Sequence, residues 1–158
     1  MTTAPKKKRL PKIGWYEWVT LPGLGLPPIL AKIDTGAKTS ALHAFRLDFF
    51  EENGIKKVSF SLHPYPHSTE AFSCEAEIYD YRNVTDSGGH TEKRYVIKTP
   101  VHLGKHTWPI EITLTNRDNM SFLMLLGRSA LRRRFLINPA RKCLFGHPPS
   151  KITIKDPS

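Results

Sequence analysis

Ala31-Lys32-Ile33-Asp34-Thr35-Gly36-Ala37-Lys38-Thr39-Ser40-Ala41-Leu42-His43 decides how the rest of this chain is read. A short apolar strand, Ile29–Ile33, runs into Asp34-Thr35-Gly36 and leaves a carboxylate at the strand end. Gly36 removes a side chain, so another backbone or a bound molecule can come close. A second signal lies far downstream. Phe122–Leu126 is an apolar strand that ends in Leu125-Leu126-Gly127-Arg128 and opens a short helix over Ser129–Arg134. Taken alone, Asp-Thr-Gly reads first as an ordinary turn, with Asp34 capping a helix through Lys38–Leu42. The apolar strand before it, Ala37, Thr39 and Ser40 behind it, and the distant Leu-Leu-Gly-Arg segment favour a loop that presents Asp34.

Outward from these motifs the pattern is β throughout. Ile13–Thr20 predicts an aromatic strand, and Phe45–Phe49 and Val58–Leu62 alternate apolar with polar residues. Glu77–Val84 and Lys93–Thr99 flank Asp86-Ser87-Gly88-Gly89 and predict a long hairpin. Val101–Leu103 and Trp108–Thr115 flank Gly104-Lys105 and predict another, and Phe135–Ile137 closes the series. The chain has 158 residues, enough for one domain with a real core. Many short strands and one short helix predict an all-β fold, a small closed barrel with the helix near its C-terminus. Residues 1–12 are polar and basic and predict a disordered arm. Residues 13–146 make the domain and 147–158 a tail.

The Asp34-Thr35-Gly36 loop and the Leu125-Leu126-Gly127 segment together resemble the retropepsin type of aspartic protease. More narrowly, Ala37–His43, Glu111–Met120 and Leu125–Arg128 look like the bacterial family labelled ATP-dependent zinc proteases, which is retropepsin-like in fold despite that label. The resemblance covers most of residues 13–145. It implies an acid-protease barrel in which Asp34 is catalytic, Thr35, Gly36 and Ala37 shape its loop, and Leu126, Gly127 and Arg128 support it. It also implies a functional link to ATP-grasp glutamate ligases, which add glutamates to proteins or peptides, and a substrate connected with glutamylation.

Hydrolysis of a peptide by carboxylates needs two of them facing one water, one ionised as general base and one protonated as general acid. Asp86-Ser87-Gly88 matches the pattern a second time. It follows polar Arg82-Asn83-Val84-Thr85 instead of an apolar strand, lies too close to Asp34 for a complete second lobe, and has no second Leu-Leu-Gly. It reads as a hairpin tip, with Ser87, Gly88 and Gly89 as the tip of a flap over the cleft. One catalytic Asp per chain then requires a homodimer, with the dyad formed across a two-fold axis. The sequence departs from viral retropepsins at Lys38, where those enzymes carry an Asp that pairs with the Arg of the Gly-Arg segment. Arg128 therefore needs another partner or another task, such as holding an acidic substrate.

Composition bounds the partners. Lys and Arg number 24 against 14 Asp and Glu, a formal charge of +10, which favours acidic ligands. The rival class is a non-catalytic basic module for nucleic acid or another polyanion. It would use Lys6–Lys12 and Arg132-Arg133-Arg134 on phosphates, with Trp15, Tyr16 and Trp18 stacking on bases. Packed strand aromatics and solvated arms are the commoner use of such residues. No metal site is expected. There is no His-Glu-x-x-His, Gly104 interrupts His102 and His106, and His63 and His67 sit in a Pro-rich loop. No phosphate-cradling Gly-x-x-x-x-Gly-Lys-Ser/Thr is present, so no ATP or other cofactor is expected. Cys74 and Cys143 read as reduced thiols. No apolar run approaches the roughly 20 residues of a membrane span, and a cytoplasmic address with a peptide or protein substrate is the expectation.

Overall fold

The Asp34 loop joins two strands that are not neighbours in their sheet. The computed structural model describes residues 9–86, 88–116 and 121–148. In chain order the strands are β1 (Lys12–Ile13), β2 (Tyr16–Val19), β3 (Ile29–Asp34), β4 (Ser40–His43), β5 (Arg46–Glu52) and β6 (Ile55–Leu62). They continue with β7 (Phe72–Glu77), β8 (Asp80–Thr85), β9 (Thr91–Leu103), β10 (His106–Thr115) and β11 (Met124–Gly127). A single helical turn, α1 (Arg128–Leu131), and β12 (Leu136–Ile137) complete the series. The main sheet has the order β2-β3-β11-β4-β10-β9-β8. Strand β11 lies between β3 and β4, parallel to the first and antiparallel to the second.

Alternation explains the burial. Ile29, Ala31 and Ile33 of β3 point into the core, whereas Lys32 is exposed and Asp34 half-buried. Leu42, Ile97, Val101, Ile112, Leu114 and Leu126 meet them in one apolar cluster. A separate sheet, β5-β6-β7, adds Val58, Phe60 and Leu62 to that cluster. Its β5–β6 hairpin turns on Asn53-Gly54, both at positive φ (54° and 80°), as a two-residue turn that follows the strand twist demands.

The predicted closed barrel is not what the ladders form. Among the described residues the seven-stranded sheet is open, with β2 and β8 at its edges, and an isolated bridge between Thr20 and His102 ties the end of β2 to β9. The predicted strand Ile13–Thr20 is two strands. Gly14 breaks it by packing against the backbone of Arg141 and Lys142, where any side chain would collide. The first arm of the predicted hairpin is also divided. Glu77 ends β7 in one sheet, and Asp80 starts β8 in the other. The helix is shorter than Ser129–Arg134, because the backbone turns out of it at Arg132 (ψ 129°) and Arg133 takes φ 65°. That turn returns Phe135 to the core beside Trp108. The Lys38–Leu42 helix alternative is replaced by β4. Pro11 and Lys12 of the predicted arm reach the fold, since Leu136 N–H donates to Pro11 O and Lys12 pairs with Leu136 in a small parallel sheet. Residues 1–8 and 149–158 lie outside the described residues. No described helix is long and apolar enough to cross a membrane.

A buried carboxylate ties the two ends of the fold together. Glu17, fully buried, accepts the N–H groups of Gly14 (2.7 Å) and Leu144 (2.8 Å) on Oε2 and that of Phe145 (3.2 Å) on Oε1. Replacement by Gln sets an NH₂ against an N–H in either orientation. Glu17→Gln is expected to cost about 2 kcal/mol, read as a lower urea midpoint at unchanged slope. Both cysteines are free thiols, and burial pushes each of them up.

Candidate functional site

Strand β11 forms the floor on which the Asp34 loop rests. Gly127 stands in register beside Asp34, and Leu126 beside Ile33. The Gly127 N–H donates to the buried Ser40 Oγ at 3.0 Å. Arg128 N–H then donates to Ala37 O (2.7 Å) and Ser129 N–H to Lys38 O (2.9 Å), so the loop is held along its length. Closeness requires Gly127. A Cβ there would lie 2.6 Å from the Thr39 carbonyl carbon and 2.9 Å from Ser40 N. The backbone at Gly127 is extended (φ −86°), so its value is space and not conformational freedom.

Within the loop, Asp34 Oδ1 accepts the Gly36 N–H at 3.0 Å, and the Ala37 N–H donates to Asp34 O at 3.3 Å. Thr35 and Gly36 are exposed, so one oxygen of a half-buried carboxyl is oriented while the loop around it faces outward. Arg128 answers the absence of an acid at position 38 differently from an ion pair. Its Nη1 donates to Thr35 O at 2.8 Å, bracing the loop through its backbone. Thr35 and Arg128 also line a cleft of about 310 Å³ with Leu131, Arg132, Phe135 and Ile137.

Asp86 does the work of a turn. Its Oδ1 accepts the N–H groups of Gly88 and His90, each at 2.9 Å, and Gly89 takes φ 86° at the end of the β8–β9 hairpin. Gly88 and Gly89 thus sit at the predicted tip; Ser87 lies outside the described residues. Arg117–Met120, part of the family-like Glu111–Met120 stretch, lie outside them as well. Among the described residues no three His, Cys, Asp or Glu side chains gather as metal ligands. The aromatics offered for base stacking contact other rings of the fold, and Trp15 remains exposed. Trp15 and Tyr16 meet each other and Phe122, Trp18 meets His147, and the Arg134 guanidinium lies 5.2 Å over Trp108.

Sequence reading missed a polar network behind the loop. Thr113 Oγ1 donates to Ser40 O at 3.1 Å and accepts from Arg94 Nη1 at 3.3 Å. Arg94 Nε and Thr115 Oγ1 both donate to Glu92 Oε1, at 2.7 and 3.0 Å. On the neighbouring strand, Arg82 Nη2 donates to Glu111 Oε1 at 2.7 Å. The available signal was the polar alternation Glu111-x-Thr113-x-Thr115 facing Glu92-x-Arg94.

Comparison with known proteins shows the family to which the chain belongs. Residues 12–148 match the RimB-like family, described as the retropepsin-like aspartic endopeptidase RimB. A protein of Shewanella halifaxensis named "Probable alpha-L-glutamate ligase" is 44% identical over 135 residues, covering 85% of this chain and 30% of its own length. A protein of Desulfotalea psychrophila with the same name is also 44% identical, with 29% of its length covered. The chain therefore spans about 30% of the curated relatives it matches, and the zinc-protease label does not appear in these names. A crystal structure of Lpg0085 from Legionella pneumophila, of unknown function, superposes with TM-score 0.71 at 30% identity, covering 85% of this chain and 98% of that one.

Proposed function

Since the chain belongs to the RimB-like family of retropepsin-like aspartic endopeptidases, we propose that it hydrolyses peptide bonds with Asp34, acting as a homodimer on acidic, glutamylated peptides or proteins. The observation that carries this reading is the Asp34 loop itself, an oriented carboxylate on an exposed loop laid over β11. Two copies would bring two Asp34 carboxyls to one water. The ionised one takes a proton from the water as its oxygen bonds to the peptide carbonyl carbon. The protonated one gives its proton to the carbonyl oxygen. Collapse of the tetrahedral intermediate breaks the C–N bond as the nitrogen takes the proton now held by the first carboxyl and a hydroxyl of the intermediate returns one to the second, leaving a carboxylic acid and an amine. Thr35 and Gly36 shape the loop, Leu126, Gly127 and Arg128 hold it, and the β8–β9 hairpin serves as the flap.

The glutamate-ligase name of the relatives supports a glutamylated substrate, and so does the +10 charge. A peptidase that trims what a ligase adds needs to hold carboxylates along an extended chain. The test compares oligoglutamate with oligoglutamine of equal length at low salt, with cleavage followed by mass spectrometry. The glutamate peptide is expected to be cleaved at least about tenfold faster, the size of one charge-assisted contact. Activity per chain is expected to fall on dilution below the dimer dissociation constant. Equal cleavage of the two peptides would remove the acidic preference.

A further inference from the structure

A carboxylate already sits among donors on the polar face of the β8–β9 hairpin, and it belongs to the protein itself. Glu92 Oε1 takes two hydrogen bonds, from Arg94 Nε (2.7 Å) and Thr115 Oγ1 (3.0 Å). The two partners differ in exposure. The Arg94 side chain is 7% exposed, whereas that of Glu92 is 46% exposed. The donors are part of the scaffold, and the acceptor reaches in from the solvent side.

The scaffold is the one that carries the Asp34 loop. Arg94 Nη1 donates to the buried Thr113 Oγ1, which donates to Ser40 O, and Ser40 Oγ receives the Gly127 N–H beside Asp34. Arg82 stands directly opposite Arg94 across the hairpin. Two guanidiniums on one face repel unless each meets a carboxylate, and Glu111 supplies the other one. A guanidinium buried as far as Arg94 needs an anion continuously. It does not need that anion to be Glu92.

We propose that Arg94 and Thr115, with Thr113 holding the Arg94 guanidinium from behind, form the receiving site for a carboxylate side chain of an acidic peptide, and that Glu92 occupies it as an internal stand-in which the peptide displaces. This rests on the acidic-peptide reading above and gives it a location. Displacement costs little structurally, because Glu92 lies near the hairpin end and a rotation of its half-exposed side chain vacates the site. The incoming carboxylate restores the charge balance of Arg94. The sign of the effect follows. An internal competitor weakens the binding of the ligand it imitates, so removing its charge strengthens that binding.

The test uses the full chain carrying Asp34→Asn, so that peptide is not consumed, and titrates it calorimetrically with oligoglutamate and with length-matched oligoglutamine at low salt. Adding Glu92→Gln is expected to tighten oligoglutamate about tenfold, the size of one charge-assisted hydrogen bond, and to leave oligoglutamine unchanged. The gain is expected to vanish when Arg94→Gln is added, and to shrink with Thr115→Val if the Arg94 variant does not fold. Unchanged or weaker oligoglutamate binding in a folded Glu92→Gln chain overturns the proposal. A gain shared by both peptides, or one that survives Arg94→Gln in a folded chain, also overturns it. The two readings fail separately. A gain in the Asp34→Asn chain, when the chain with Asp34 intact cleaves no peptide, keeps this site and removes the peptidase, whereas cleavage of oligoglutamate by the Asp34 chain without the gain keeps the peptidase and removes the site.

Discussion

Asp34→Asn is expected to lower peptide hydrolysis by about a thousandfold or more, the usual range for loss of a general acid or base. The fold is expected to survive. The carboxyl makes one described hydrogen bond, from the Gly36 N–H, and an amide oxygen can accept it equally well. Thermal unfolding of the variant should match that of the native chain within about 1 kcal/mol, and turnover close to native would remove Asp34 from the chemistry. The same variant tests the dimer. If the dyad is shared between two copies, equal amounts of native and Asp34→Asn chain leave about a quarter of the dimers fully native, and activity per native chain falls to about half. A chain that works alone is unaffected by the mixing. Chelator is expected to change little. Full loss with chelator and recovery with zinc would favour metal chemistry.

Gly127→Ala is expected to cost about 3 kcal/mol, the upper range for forcing one carbon into a closed contact. The atoms it meets are the Thr39 carbonyl carbon and oxygen and Ser40 N, at 2.6–2.9 Å, and backbone at the entry to β4, unlike a flexible side chain, does not rotate away. Separation of β11 from β4 would stretch the Gly127–Ser40 hydrogen bond and lift the loop that the same strand supports. Activity should therefore fall further than the unfolded fraction explains at a temperature where the variant remains folded. Gly36→Ala makes the contrast. A Cβ there meets only Asp34 Oδ1, at 3.3 Å, so stability is nearly kept while the carboxylate is pushed from its place. A native unfolding midpoint for Gly127→Ala would show that β11 and the loop are not packed as described.

Local chemistry made a good part of this protein legible from its residues alone. Alternation and apolar runs placed β3, β6, β10 and β11 to within a few residues, because side-chain period follows from strand geometry whatever the partner, whereas the predicted strands Lys93–Thr99 and Val101–Leu103 are one continuous strand, β9, which pairs with β8 along one part and β10 along the other. The turn residues placed the hairpin ends at Gly88-Gly89 and Gly104. The polar surroundings of Asp86 separated it from Asp34, and its carboxylate indeed folds back onto its own turn.

Pairing partners were not legible. Nothing between residues 34 and 40 says that β11, some ninety positions downstream, slides between β3 and β4. That order comes from long-range contacts which alternation does not encode. The opening of the barrel, the break at Gly14 and the end of α1 at Arg132 are likewise consequences of what packs against each segment. Nothing beside Glu17 in the sequence marks it for burial, and only the return of residues 144–145 makes it a buried acceptor. Nothing beside Arg94 in the sequence marks it for burial, and only the closing of β9 against β10 buries it beside Thr113. The residue types thus determined which chemistry the chain can carry, while the tertiary fold decided which charges are buried together, because burial makes a charge depend on neighbours distant in sequence.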